Sequence, residues 1–137
     1  METSFSNAAI ESLPFQSRVE REMKQLVQLG GYEAIYLFNP EGLVLAASVA
    51  REAILREEQA VEFSVLIARM QKVVRRISEL SDLKEQVIED QEGKRLVFRF
   101  LKLFSQPALL LMVLPASRSY RGLANRLCRI IEQYSLT

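Results

Sequence analysis

Apolar positions recur along this chain either at helical spacing or in short runs between turn residues, and the change from one to the other marks its elements. From Phe15, apolar residues recur at Val19, Met23, Leu26 and Val27, a helical spacing that Gly30 and Gly31 bring to an end. The spacing predicts a first helix over 15–29. Two apolar runs follow, 34–38 and 43–47, around the turn Asn39, Pro40, Glu41, Gly42, and these predict a β-hairpin. Residues 52–80 contain neither Gly nor Pro and predict one long helix. A second strand pair is predicted over 86–89 and 94–103, with its turn at Gly93, and a third strand over 108–114. A last helix over 119–135 is marked by Tyr120, Leu123, Leu127, Ile130, Ile131 and Tyr134.

The strands at 34–38 and 108–114 are apolar at both parities, so each needs cover on both faces. The fold class is therefore α/β in the α+β sense, with element order α-β-β-α-β-β-β-α and the three helices divided two and one over the sheet. Residues 1–14 are read as a flexible lead-in and 15–137 as a single domain, with no internal repeat.

The long helix carries the sharpest signal. At 3.6 residues per turn, Phe63, Leu66, Ile67, Met70, Val73, Val74, Ile77 and Leu80 share one broad face, expected to pack on the helix's own sheet. Roughly opposite lies a narrower stripe of Val61, Val65 and Ala68, continued by Lys72. Isolated exposed apolar residues are ordinary on a protein surface. The sharper reading is that this stripe meets its symmetry mate in a two-fold homodimer. The short strand with Val87, Ile88 and Glu89 is bounded by polar residues, as an edge strand is, and its unpaired backbone groups suit it to join the same interface.

Composition narrows the chemistry. The chain has 137 residues, 49% hydrophobic and 26% charged, with 18 basic and 17 acidic side chains and a net charge of +1. That is a globular balance with no general attraction to nucleic acid or to anionic membranes. No apolar run approaches a membrane span, the first residues lack the pattern of a signal peptide, and a cytoplasmic protein is expected. Histidine is absent, which removes the commonest general base and metal ligand. The single cysteine, Cys128, has no partner for a disulfide and no histidine to activate it, so it reads as a buried, inert thiol. Neither a P-loop nor a GxGxxG fingerprint occurs. The acids Glu57, Glu58 and Glu62 suit the start of a helix. No catalytic site, cofactor or metal is expected, and the chain reads as a protein-binding module.

Arg69, Lys72, Arg75 and Arg76 cluster along the outer side of the long helix. They read either as a solvated face whose cations complement the helix C-terminus, or as a rim for an acidic partner surface. Arg118, Arg121, Arg126 and Arg129 form a weaker patch on the last helix, and neither patch carries the aromatic platform that single-stranded nucleic acid needs.

With these elements in place, the chain resembles the roadblock family, which includes dynein light chains and bacterial GTPase regulators. The resemblance rests on the element order and on the segment from Gly31 to Ala47, GYEAIYLFNPEGLVLAA, which is similar to the family's first hairpin. Asn39 stands where the family commonly has aspartate, and it serves the same turn geometry. The resemblance covers about residues 15–135. It implies a five-stranded antiparallel sheet between one long helix and two others, and a homodimer joined through the long helix and the adjacent edge strand. It further implies regulation of a Ras-like small GTPase seated across the paired helices, where Arg69, Lys72, Arg75 and Arg76 would be the contact residues. A structural adaptor bridging larger assemblies, and a small-ligand sensing module, are the alternative readings.

Overall fold

The computed structural model describes residues 14–136. The predicted lead-in, apart from Pro14, lies outside the described residues. Helix α1 (Phe15–Gly30) ends at Gly31, which takes the left-handed conformation at φ 76°. Strands β1 (Ala34–Phe38) and β2 (Val44–Val49) form the first hairpin, and helix α2 (Glu57–Ile77) follows. Strands β3 (Glu85–Glu89), β4 (Arg95–Leu103) and β5 (Gln106–Leu114) lead to helix α3 (Arg121–Ser135). The strands form one antiparallel sheet in the order β2-β1-β5-β4-β3, so the central strand is the last in sequence and β2 and β3 are the edges.

Two turns are built on one device. Asn39 Oδ1 accepts from the N–H groups of Glu41 and Leu43 at 3.0 and 2.9 Å, and Asp90 Oδ1 accepts from Glu92 and Lys94 at 2.9 Å each. In both, the short side chain satisfies the backbone of the reversal, and a glycine (Gly42 at φ 88°, Gly93 at φ 90°) takes the positive φ that the turn requires. The β4–β5 connection differs from expectation. Phe104 and Ser105 both adopt positive φ, 51° and 64°, in a two-residue turn, so β5 begins at Gln106 and the strand takes in Pro107. No glycine announces this reversal in the sequence.

β1 is buried along all five residues and β5 from Ala108 to Leu114. On one face, Ile35, Leu37, Leu110 and Met112 pack with Val19 and Met23 of α1 and Ala124, Leu127 and Ile131 of α3. On the other, Tyr36, Phe38, Phe98, Leu109 and Leu111 pack under Ala60 and Ile67 of α2. One long helix thus covers one face and two helices cover the other.

The long helix is shorter than expected. It starts at Glu57 because Gln59 turns its side-chain oxygen back onto the N–H of Arg56 at 2.9 Å, and a turn closed by Ala53 N–H on Ala50 C=O occupies the preceding residues. It stops after Ile77, where the Ser78 hydroxyl donates to Val74 C=O at 2.6 Å.

Under α3 the sheet buries an ion pair. Arg99 on β4, only 6% exposed, donates from Nε to Glu85 Oε1 on β3, and the other oxygen of Glu85 accepts from the Tyr120 hydroxyl at 3.0 Å. Cys128 on α3 lies against Arg99, and burial pushes its thiol up to about 11 even though the nearby guanidinium opposes the shift.

Two expectations follow. Gly42→Ala destabilises the fold by more than about 1 kcal/mol, because a Cβ there would lie 3.1 Å from Val65 Cγ2 at an unfavourable φ. Gly122→Ala, with open space at an exposed helical position, stabilises by about 0.5–1 kcal/mol. Urea unfolding of the two variants measures both. For Cys128, the folded state holds the proton that the unfolded chain releases nearer pH 9, so this contribution is whole below that pH and is lost as pH rises toward 11. The stability of the wild type relative to Cys128→Ala therefore declines between pH 8 and 10.5, and thiol labelling at pH 8 is much slower in the native than in the denatured chain.

Candidate functional site

Only a narrow stripe of α2 reaches its own sheet. Ala60, Ser64 and Ile67 are buried there, with Phe63, Met70 and Val74 half-buried beside them. This corrects the broad face expected from the sequence. Leu66 is 49% exposed, Val73 37% and Ile77 73%, and Leu80, beyond the end of the helix, is also exposed. Leu66, Val73 and Ile77 lie on one flank of the helix rather than on its underside.

The two flanks differ in their surroundings. Flank one carries Val61, Val65, Ala68 and Lys72 and leans toward the turn ends of the hairpins. Gly42 faces Val61, Ser64 and Val65, while Ala68, Gln71, Lys72 and Arg75 form one wall of a groove whose other walls include Pro40, Phe100 and Pro107. Val61 and Ala68 are half-buried within a single chain. The hairpin turn therefore gives the valine stripe an intramolecular neighbour that the sequence pattern did not disclose.

Flank two leans toward β3. The Gln86 amide of β3 lies 2.8 Å from Met70 Sδ, and the Phe63 ring lies 6.3 Å from that of Phe98. Along this flank Phe63, Leu66, Met70, Val73 and Ile77 are spaced three and four residues apart in alternation, the period of a helix–helix seam. Ile88 adds to it from the sheet: it pairs with Leu96, which packs in the core under α2, so its side chain stands on the same face.

The sheet edges are also unequal. At β2, the N–H of Ala47 is taken by Glu20 Oε2 of α1 at 3.0 Å. At β3, Val87, Ile88 and Glu89 are exposed. The register in which Phe100 N–H bonds Lys84 C=O turns the backbone groups of Glu85, Val87 and Glu89 outward.

Arg69, Lys72, Arg75 and Arg76 are all exposed on the outer side of α2. Arg75 is held by Asp82 at 3.1 Å, which folds it back over the groove and leaves Arg69, Lys72 and Arg76 as the outward cations. Lys72 and Arg75 border the groove while Arg69 and Arg76 stand outside its lining, so the four are spread over a charged surface and do not share one binding point. Among the described residues, no cluster of His, Cys, Asp and Glu is suited to a metal, and no helix is long and apolar enough to cross a membrane.

No protein-family model matches the sequence, and no curated protein matches it at the sequence level. Solved structures do match in three dimensions. The gliding protein MglB from Thermus thermophilus superposes with a TM-score of 0.74 at 15% identity, covering 90% of this chain and 93% of its own. Myxococcus xanthus MglB gives 0.65 at 13% identity, covering 97% and 90%. A Roadblock/LC7 domain from Streptomyces avermitilis gives 0.64 at 17% identity, covering 86% and 98%. At such identities the likeness lies in architecture, and it agrees with the order of helices and strands, the sheet topology and the layering described above. The chain has the roadblock fold.

Proposed function

We propose that this protein is a non-catalytic, homodimeric, cytoplasmic interaction module that regulates or scaffolds a Ras-like small GTPase. The observation that carries the reading is an uncovered apolar seam on α2 beside an unpaired sheet edge. Leu66, Val73 and Ile77 continue onto Ile88, and each alone is an ordinary exposed residue. Together they form a strip flanked by the outward backbone groups of β3, so a second copy related by a two-fold axis meets helix with helix and strand with strand. The interface residues are then Leu66, Val73 and Ile77 with Val87, Ile88 and Glu89. Val61, Val65, Ala68 and Lys72 lie on the other flank and border the shared helical surface.

A dimer of this kind lays two α2 helices side by side and doubles the outward set Arg69, Lys72 and Arg76, a platform suited to an acidic partner face. The MglB and Roadblock/LC7 neighbours support the fold of such a regulator. Histidine is absent from the chain, and Arg69 and Arg76 stand exposed outside the groove, which supports action by binding rather than by chemistry. An arginine finger is not assigned.

Two measurements separate the parts of this reading. Light scattering at micromolar concentration gives a dimer mass. Leu66→Asp or Ile77→Asp weakens association by roughly 100-fold, about 3 kcal/mol, while Val65→Asp leaves it intact. A monomeric wild type, or a dimer broken by Val65→Asp alone, overturns the seam. For the partner, titration with the Ras-like GTPases of its source, in GTP-analogue and GDP states, is expected to show binding to one of them. Charge reversal at Arg69 and Arg76 should weaken it about tenfold with the dimer unchanged. An intact dimer that binds none of them in either state removes the GTPase role and leaves the dimer standing.

A further inference from the structure

The stripe by which α2 meets its sheet changes character halfway along the helix. Ala60, Ser64 and Ile67 are buried, and the same spacing continues through Gln71 and Val74, which are only half-buried. Beyond Ile67 the helix therefore sets a polar amide over the sheet, where the groove has a volume of about 440 Å³. The α2 wall of the groove is Ala68, Gln71 and Lys72, and its floor is Phe100, Pro107 and Leu109. Strand register places that floor on the α2 face. Phe100 pairs with Leu109, which packs under α2, and Pro107 stands two residues before Leu109. A concave site of this size with an apolar base falls within the roughly 300–1,000 Å³ of small-molecule pockets.

Three polar groups around that base lack a partner among the described residues. Gln71 Oε1 is buried and accepts no hydrogen bond. An amide oxygen left so is destabilising, and the terminal torsion of a glutamine is soft, so a donor seated on the floor can meet it. Lys72 and Lys102 both line the groove, both are exposed, and neither forms an ion pair among the described residues. Lys102 shares the α2 face of the sheet, since it pairs with Pro107. The other charges of the lining are engaged. Arg75 holds Asp82 at 3.1 Å, and Glu132 Oε2 accepts from the Lys102 N–H at 3.3 Å. The groove thus lacks an anion for two lysines and a donor for one amide, above an apolar floor.

We propose that this groove binds a small aromatic carboxylic acid that carries an N–H or O–H donor, of the indole- or phenol-carboxylate kind. The ring lies on Phe100, Pro107 and Leu109, the carboxylate meets Lys72 and Lys102, and the donor meets Gln71 Oε1. An inorganic anion would leave the floor uncovered, and an aliphatic acid would cover it but leave Gln71 without a donor. Such binding needs neither a second copy nor a GTPase, so its failure in the isolated chain leaves that reading untouched.

The test is an amide-resonance titration of the full chain with indole-3-acetate at constant ionic strength. Saturable shifts confined to residues near 68–75, 100–102 and 107–109 are expected. Lys72→Ala and Lys102→Ala each weaken binding about threefold and together about tenfold, while Lys24→Ala, on α1 across the sheet, leaves it unchanged. Indole, which lacks the carboxylate, and 1-methylindole-3-acetate, which lacks the donor, each bind the wild type about tenfold more weakly. In Gln71→Leu the penalty for methylation disappears, a result that a merely structural role for Gln71 would not produce. The proposal is overturned by shifts that never saturate or that centre on α1 and α3. It is equally overturned by indole or the methylated acid binding as tightly as indole-3-acetate, by a methylation penalty that persists in Gln71→Leu, or by a Lys72→Ala/Lys102→Ala double variant that binds like the wild type.

Discussion

From Ala108 to Leu114, β5 has no side it can show to water, because every residue is apolar and both faces of the strand are equally so. Burying such a strand requires a helical layer above and another below, and the hydrophobic transfer of that run supplies, at about 25 cal/mol per Å², one of the largest favourable contributions the chain has. The rest of the architecture answers this demand. The last strand in sequence inserts at the centre of the sheet, β1 and β4 flank it, and the two least buried strands, β2 and β3, are left as edges. α1 and α3 share one face because each is too short to cover it alone, while α2 is long enough to span the other.

The same demand explains why α2 has surface to spare. A helix crossing a twisted sheet touches it along one stripe, and here small residues at Ala60 and Ser64 bring it close, with Ile67 seated in the sheet. Everything on its flanks must find other cover or stay wet. One flank finds the hairpin turn at Gly42, where only the missing side chain of glycine lets Val61 and Val65 approach. The other finds Met70 against Gln86 and then runs out of chain, because β3 is the last strand on that side. An apolar seam beside an open strand edge results directly from a sheet that ends one strand short of covering its longest helix.

Polar groups are placed where that packing leaves room for them. Glu20 closes the β2 edge, Asn39 and Asp90 serve the turns, and Lys94 reaches Glu33 at 3.0 Å across the strand ends. Arg99 is the exception, a charge set inside the α3 layer, where Glu85 pairs with it and Tyr120 donates to the other carboxylate oxygen. Removing either partner of such a buried pair is costly, because it leaves the other charge uncompensated.

Much of this was legible in the residues. Helical spacing, apolar runs between turn residues and a stretch free of Gly and Pro located all eight elements, Gly31, Gly42 and Gly93 marked where the chain turns, and strands apolar at both parities required helices on both faces. These are local properties, carried by side-chain spacing and by backbone conformations open to glycine, and they need no knowledge of neighbours. The β4–β5 turn escaped because Phe104 and Ser105 take positive φ without a glycine, held there by the pairing on either side. The division of α2 into buried stripe and exposed flanks escaped for a deeper reason. Periodicity tells which residues share a face, but the width of that face actually covered depends on the strand order, the crossing of the helix and where the sheet stops. Val61 and Leu66 are both apolar residues of one helix, and only the tertiary structure set the first against a hairpin of its own chain and left the second open beside a free edge.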